Sequence, residues 1–396
     1  MGAIAIADNI YWVGVKDPGL LHFDIVMETK HGTTYNAYLV RGRDKVALID
    51  TVKAQFTNEF LNNVREITDL ESIEYLIVNH TEPDHSGAIT ALLENAPHIT
   101  IVCAAAAVPF VKNTINTEAR IRPVKDNDVI DLGGKTIIFK STPYMHWPDT
   151  MMEYLKEDGI LFSCDGFAGH IAFDSIWADQ ARQDVDYEIQ YYFDSIMRPF
   201  TSYIRRNMPK LEALDVRMIA PSHGPIIRRD APAYIRKYSE WSSDKSDGKN
   251  QITIFYVSSY GNTALIAQTL ASRLSERGFT VVLIDTFQMD ESYARDQIEA
   301  SVALLFGTPT FNGDAVRPIW NAVSLLSTVN SVGKKAAVFG SYGWGGEGTK
   351  LVSERLAGLR LKIFSEALRA RLIPSQEELA EVASFAGKIA DFVESV

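Results

Sequence analysis

"IVNHTEPDHSGAI" spans Ile77 to Ile89. It sets two histidines, a glutamate and an aspartate directly behind an apolar run, in a chain that has only 8 histidines. A loop leaving a strand is where α/β sheets keep their chemistry. Alternation along an extended loop puts His80, Glu82 and Asp84 on one side, and His85 then opens the turn into a helix expected from about Ser86. Carboxylates clustered in this way need cations beside them if they are buried. Four ligand-type side chains overfill a single ion that must stay open to substrate, so two ions sharing the loop are expected. The remaining ligands must come from far along the chain. The candidates are His146 in "PYMHWPD", Asp165 in "LFSCDGF" and His223 in "IAPSHGP". Each follows an apolar run and lies beside or near Gly or Pro, so each reads as a loop residue above a scaffold. His22, His31 and His98 read as ordinary polar residues, and His170 is also assigned to structure.

The rest of the chain fits this picture. Its 396 residues exceed one ordinary core, so two domains are expected. Hydrophobic residues make up 46% and charged residues 22%, as in globular proteins. A net charge of -11 argues against nucleic acid as a partner, because phosphate binding needs a surplus of Lys and Arg. No window is long and apolar enough for a membrane span, and the N-terminal stretch does not resemble a secretion signal. Cys103 and Cys164 have no metal-type spacing, and a reducing cytoplasmic location is expected.

"WSSDKSDGKN" (Trp241 to Asn250) is short, polar and glycine-containing, and reads as a linker. It divides the chain into 1–248 and 249–396. The first part mixes strands at "NAYLV", "KVALID", "EYLIVN", "KTIIF" and "GILFS" with helical patterns such as "SGAITALLE". The second part alternates strand and helix. Its strands are "QITIFYV", "TVVLID", "VALLFG", "KAAVFG" and "LRLKIF", and its first helix carries Ile266, Leu270 and Leu274 on one face. Regular alternation implies a five-stranded parallel sheet covered on both faces.

Three loops after strands of that second sheet stand out. "SSYGNT" offers Ser258, Ser259, Tyr260, Gly261, Asn262 and Thr263 at the start of a helix, where backbone N–H groups and the helix dipole suit a phosphate. There is no Walker lysine and no dinucleotide fingerprint. "GTPTFNG" contributes Pro309, Thr310, Phe311, Asn312 and Gly313. "GSYGWGG" contributes Ser341, Tyr342, Gly343, Trp344, Gly345 and Gly346. Glycines with aromatic rings can lay a backbone and a ring against a flat heterocycle. The trio resembles flavodoxin, whose cofactor is FMN.

The order H-x-E-x-D-H, then His, Asp and His, resembles the metallo-β-lactamase fold, an αββα sandwich. Zinc hydrolases of that fold mostly carry histidine where this chain has Glu82. A carboxylate hardens the site and suits iron. A di-iron domain of this fold followed by a flavodoxin-like domain resembles the flavodiiron proteins, also called A-type flavoproteins, over essentially the full chain. The motifs that carry the resemblance are "HTEPDHSG", "HWPDT", "CDGF", "PSHG", "SSYGNT" and "GSYGWGG".

The resemblance implies reduction of dioxygen to water or of nitric oxide to nitrous oxide, with FMN and two Fe ions as cofactors. It implies one iron on His80, Glu82 and His146, a second on Asp84, His223 and His85, and Asp165 as the bridge. Tyr191 in "YYFDSIM" corresponds either to a catalytic second-layer tyrosine or to ordinary packing. The family's histidine near residue 23 is not matched, because the chain reads His22-Phe23 there. The family also implies a head-to-tail homodimer or a homotetramer. No rubredoxin module follows the flavodoxin-like part, so rubredoxin or another soluble electron donor, such as a reduced deazaflavin, is expected as partner. The competing readings are a binuclear zinc hydrolase with an appended flavodoxin, and an electron-transfer flavoprotein.

Overall fold

The computed structural model describes residues 2–25, 27–245 and 250–395. The chain divides into two compact units, Met1–Ser243 and Asp244–Val396. The expected break between 248 and 249 lies outside the described residues.

Runs rich in Val, Ile and Leu build the first unit. One seven-stranded sheet runs in chain order through β1 (Ile4–Ala7), β2 (Ile10–Trp12), β3 (Tyr38–Arg41), β4 (Val46–Ile49), β5 (Ile73–Val78), β6 (Thr100–Ala104) and β7 (Arg120–Val124). Pairing is antiparallel up to β4 and parallel from β4 onward. A five-stranded sheet follows: β8 (Val129–Asp131), β9 (Thr136–Ser141), β10 (Met151–Leu155), β11 (Ile160–Phe162) and β12 (Met218–Ala220). Only its last pair, β11 with β12, is parallel.

The central strands of both sheets are buried on both faces, which explains why they read as continuous apolar runs, whereas the edge strands β7 and β8 are largely exposed. Along β4, Ala47 and Ile49 join the core shared with Phe139, Leu155 and Phe162 of the second sheet. Val46 and Leu48 join a separate core that holds Phe60 and Val64 of the helix Thr57–Arg65. The same outer core takes Met152, Tyr154 and Leu161 together with Ile204, Leu211 and Tyr238 from helices. The result is helix, sheet, sheet, helix.

The second unit has the strand order β14 (Thr280–Asp285), β13 (Gln251–Tyr256), β15 (Ala303–Phe311), β16 (Lys335–Tyr342) and β17 (Lys362–Ile363), all parallel. Ile252 and Ile254 face one core with Ile266, Leu270 and Leu274, and Phe255 and Phe306 face the other. The order reverses beside β13, so the loops after β13 and β15 open a crevice there.

The sheet differs from the expected five parallel strands in two places, and at one of them Asp314–Ala315 pairs antiparallel with the end of β15. "LRLKIF" forms only the two-residue β17, and a further strand β18 (Leu368–Arg371) pairs with the outer half of β16. Phe364 packs its ring 5.5 Å from Phe385 and 5.5 Å from Phe392 of the last helix, and the chain leaves the sheet between the two strands. Among the described residues, no helix is long and apolar enough to cross a membrane.

Phe162 is 1% exposed between the two sheets of the first unit. Phe162→Ala should cost about 3–5 kcal/mol. Denaturant unfolding followed by a probe in each unit would check this: the first unit's midpoint should fall and the second unit's should stay.

Candidate metal centre and flavin site

His80 lies just beyond β5, Asp165 just beyond β11 and His223 just beyond β12. His146 sits in the connection from β9 to β10. The helix after β5 begins at Pro83, not near Ser86, and breaks into two pieces, Pro83–Ser86 and Ile89–Asn95. Asp84 and His85 therefore lie on a helical turn. Extended alternation does not hold for Asp84, whose side chain faces a different group from that of His80 and Glu82.

All seven metal candidates are brought together, and they sort into two sets. In the first, His80 Nε2 is 3.0 Å from Glu82 Oε2, and His146 Nε2 is 3.5 Å from the same oxygen. In the second, His223 Nε2 is 3.2 Å from Asp84 Oδ2, and His85 Nε2 is 3.7 Å from Asp84 Oδ1. Asp165 joins both. Its Oδ2 is 3.2 Å from His146 and 3.8 Å from His80, whereas its Oδ1 is 3.2 Å from His85 and 3.3 Å from His223.

The donor atoms test whether cations fit. Asp84 Oδ1 and Oδ2, His85 Nε2, Asp165 Oδ1 and His223 Nε2 are buried and lack a hydrogen-bond partner. Leaving carboxylate oxygens and imidazole nitrogens unpaired in the interior is costly unless a cation takes their lone pairs. The set contains three carboxylates and four imidazoles, and the buried Cys164 sulfur lies within 4.8 Å of Asp50 and His85 donor atoms. Such nitrogen and oxygen donors suit iron.

The other nitrogen of three ligand histidines is held from behind. Asp149 Oδ1 lies 3.3 Å from His80 Nδ1, and its Oδ2 accepts from the N–H and hydroxyl of Thr81. Asp50 Oδ2 lies 3.2 Å from His85 Nδ1. The Thr34 carbonyl is 2.8 Å from His223 Nδ1, and a proton on that nitrogen leaves Nε2 free to ligate. Sequence reading missed Asp50 and Asp149, although "ALID" and "HWPD" displayed each as a carboxylate at a strand end or beside a ligand.

Of the two readings of Tyr191, its surroundings favour packing: half-buried, it stacks on Tyr187 at 6.1 Å and lies against the outer core. Its neighbour Tyr192 is fully buried, 5.1 Å from the His170 ring and 6.5 Å from His223, with an unpartnered hydroxyl. One residue of helical rotation separates the two directions. His170 packs beside the centre and not within it. Thr33 Oγ1 holds its Nδ1 at 2.7 Å, and burial, then the His223 charge, keeps the ring neutral. His22, His31 and His98 stay outside the cluster. Phe23 packs instead, 4.2 Å from His170 and 5.1 Å from His223. Trp147 walls the first set, 4.8 Å from His80.

In the second unit a cleft lies at the ends of β13, β15 and β16. Ser258, Ser259, Tyr260 and Asn262 line it from the first loop, Pro309 to Asn312 from the second, and Ser341 to Trp344 from the third. Leu372, not expected from sequence, completes the wall. Gly261, Thr263, Gly313, Gly345 and Gly346 shape the loops without lining the cleft. Gly261 and Gly313 adopt φ 83 and 76, and Thr263 turns inward to bond Ser341 Oγ at 2.8 Å. The 15-residue helix Asn262–Glu276 points its N-terminus here, and the buried Ser258 hydroxyl has no partner. Trp344 and Tyr260 are 83% and 86% exposed beside the cleft. A phosphate on the loop and a flat ring against the aromatics fit this arrangement.

Comparison with known proteins agrees with both halves. Residues 33–224 match the ODP family beta lactamase model, and residues 254–385 match the flavodoxin model. The chain is 39% identical to the flavo-diiron protein FprA2 of Clostridium acetobutylicum, over 100% of both chains. It is 33% identical to the anaerobic nitric oxide reductase flavorubredoxin of Aeromonas hydrophila, over 96% of this chain and 77% of that one. The solved structure of rubredoxin oxygen:oxidoreductase from the anaerobe Desulfovibrio gigas superposes with a TM-score of 0.71 at 27% identity, covering 99% of this chain and 98% of that one.

The chain belongs to the flavodiiron protein family. As a flavodiiron protein it takes FMN in the second unit and a di-iron centre in the first.

Charge at the centre depends on those irons. Burial lowers the pKa of His146, but Asp165 and Glu82 outweigh it and raise the group to about 9 in the metal-free site. Burial also lowers that of His223, but Asp165 and Asp84 raise it to about 10. Near neutral pH both imidazoles are therefore protonated without metal, and a metal must displace those protons. Iron(II) added to metal-free protein in weak buffer should release protons. Its affinity should rise with pH until about pH 10, where His223 also loses its proton. Titration with a pH indicator and a competing chelator would check both; a pH-independent affinity contradicts this account of the site.

Proposed function

We propose that this flavodiiron protein reduces dioxygen to water, nitric oxide to nitrous oxide, or both, at two irons re-reduced by FMN. The observation that carries the reading is Asp165, whose two oxygens each face a separate set of ligands. In this reading His80, Glu82 and His146 hold one iron, Asp84, His85 and His223 hold the other, and Asp165 bridges them.

Bound there, two ferrous ions and one flavin hydroquinone supply the four electrons that dioxygen needs, or the two needed by a pair of nitric oxide molecules. The chain does the rest. Asp149, Asp50 and the Thr34 carbonyl orient three imidazoles so that their free nitrogens converge. Glu82 places a hard anionic donor where hydrolases of this fold mostly use a neutral ring, which favours redox chemistry over hydrolysis. Trp147 and Phe23 pack apolar rings against His80 and His223. Tyr192 packs its ring beside His170 and His223 and holds a buried hydroxyl with no other partner.

Electrons enter through the flavin from rubredoxin or another soluble donor. A head-to-tail dimer, in which the flavin of one chain serves the irons of its partner, completes the reading.

Anaerobically purified protein should contain two irons and one FMN per chain and should consume dioxygen or nitric oxide after reduction. Zinc in place of iron, with no gas consumed after iron reconstitution, would restore the hydrolase reading. His146→Ala should keep FMN and lose more than about 100-fold in gas consumption, beyond the range of outer-layer substitutions. The dimer has its own test. Ser258→Asp, which repels the phosphate, should be flavin-free. Co-expressed with His146→Ala, it should yield hybrid dimers with activity that neither variant has alone. Inactive hybrids would rule out flavin-to-iron transfer between chains.

A further inference from the structure

The flavin cleft has a wall that its three loops do not supply. Leu372 lines it together with Tyr342, Gly343 and Trp344 of the third loop. Leu372 follows directly on β18, which pairs parallel with the outer half of β16 and sets Arg371 opposite Tyr342. The pairing runs one residue past the strand, because the Leu372 N–H donates to the Tyr342 carbonyl at 2.8 Å. The Leu372 side chain lies on Gly343, with Cδ2 3.7 Å from where a Cβ on that glycine would stand.

Arg371 continues this contact with its side chain. Its Nε donates to the Gly343 carbonyl at 3.2 Å. Behind it, Glu378 Oε1 accepts from the Arg371 N–H at 3.4 Å, and Oε2 accepts from the Ser375 N–H at 2.8 Å. The Ser375 hydroxyl accepts from the Glu378 N–H at 3.2 Å, which closes the capping box of the last helix, Gln376–Glu394. Two successive carbonyls of the third loop are therefore held by a segment that is itself tied to a 19-residue helix.

The direction of those carbonyls matters for the cleft. In a trans peptide the C=O and the following N–H point opposite ways. β16 has β15 on one side and β18 on the other. With the Tyr342 carbonyl turned to β18, the Gly343 N–H faces the side of β15, whose loop lines the same cleft from Pro309 to Asn312. With the Gly343 carbonyl turned to Arg371, the Trp344 N–H points away from Arg371. Neither N–H donates to another of the described residues. A flavin ring carries carbonyl oxygens and unprotonated nitrogens that accept such bonds. Gly343 has no side chain to fix this turn, so the fixing must come from its neighbours.

We propose that Arg371 is a positioning residue for the flavin: its bond to the Gly343 carbonyl sets the third loop with the Gly343 and Trp344 N–H groups free for the ring. A loop ordered in advance loses less freedom when the flavin arrives, and affinity rises accordingly. The proposal rests on FMN occupying this cleft.

Two variants separate the bond from the charge. Gln Nε2 stands as many bonds from Cα as Arg Nε, so Arg371→Gln keeps the donor and removes the charge. Arg371→Met keeps the length and removes both. FMN and riboflavin, titrated into flavin-free full-length protein, are the probes, because riboflavin lacks the phosphate. Arg371→Met should bind both flavins about fivefold more weakly, as expected for one hydrogen bond. Arg371→Gln should bind both as the wild type does. In wild type, FMN should slow hydrogen exchange at the Gly343 and Trp344 amides.

Unchanged binding in Arg371→Met overturns the proposal. So does a loss in Arg371→Gln equal to that in Arg371→Met, which assigns the effect to charge, or a loss for FMN alone, which assigns it to the phosphate. Amides that FMN leaves unprotected overturn it as well, and that measurement decides even where Arg371→Met does not fold. A wild type that binds neither flavin defeats the flavin reading itself, and is told apart from these outcomes because in them the wild type binds both.

Discussion

A buried group of carboxylates and imidazoles cannot stand alone, and much of the first unit is organised around that constraint. Asp165 is 1% exposed and has no solvent to offset its charge. Four imidazoles surround it, split evenly between its two oxygens. The cost of burying such a set falls only if cations occupy the space between the donors. The fold therefore does two things at once. It holds the donors rigidly at the ends of packed strands, and it accepts a metal-free state in which protons stand in for the metals.

The rigidity comes from the sheets. β5, β11 and β12 carry His80, Asp165 and His223 at their ends, and each strand is buried on both faces. A further layer of hydrogen bonds fixes the imidazoles themselves. Asp149 and Asp50 are nearly as buried as the ligands they orient. Burial raises the free energy of any of these carboxylates in isolation, and each is compensated by a specific partner: Thr81 and His80 for Asp149; Asn79, Ser222 and His85 for Asp50. Glu153 is the exception: it is fully buried without a hydrogen-bond partner, and burial pushes its carboxyl well above the usual range.

The second unit solves a different problem with looser means. Its cleft is open, and exposed aromatics flank it. A flavin needs a phosphate seat and flat surfaces, and backbone N–H groups with a few hydroxyls supply the first. The residues that matter lie on three loops, so the chain tolerates glycines that shape the turns without touching the cleft. That division between lining and shaping residues cannot be read from loop composition.

The residue string from His80 to His85 declared a metal site because its chemistry is local. Carboxylates and histidines at that density have few other uses, and the strand–loop context was legible from apolar runs. Parallel alternation in the second unit was equally plain, since each strand and helix buries its own periodic face. Direction was not legible. Tyr191 and Tyr192 are adjacent letters, and only packing against His170 shows which one turns inward. Asp84 left the side of the loop assigned to it because a helical turn starting at Pro83 rotates it away from Glu82. Asp50 and Asp149 looked like ordinary acids until distant partners gave each an imidazole to orient. The sequence by itself determined which atoms could bind metal and flavin, because donor chemistry belongs to the side chain. Only the tertiary structure decided which donors come together and which carboxylates gain partners, because those outcomes depend on burial and on neighbours far apart in the chain.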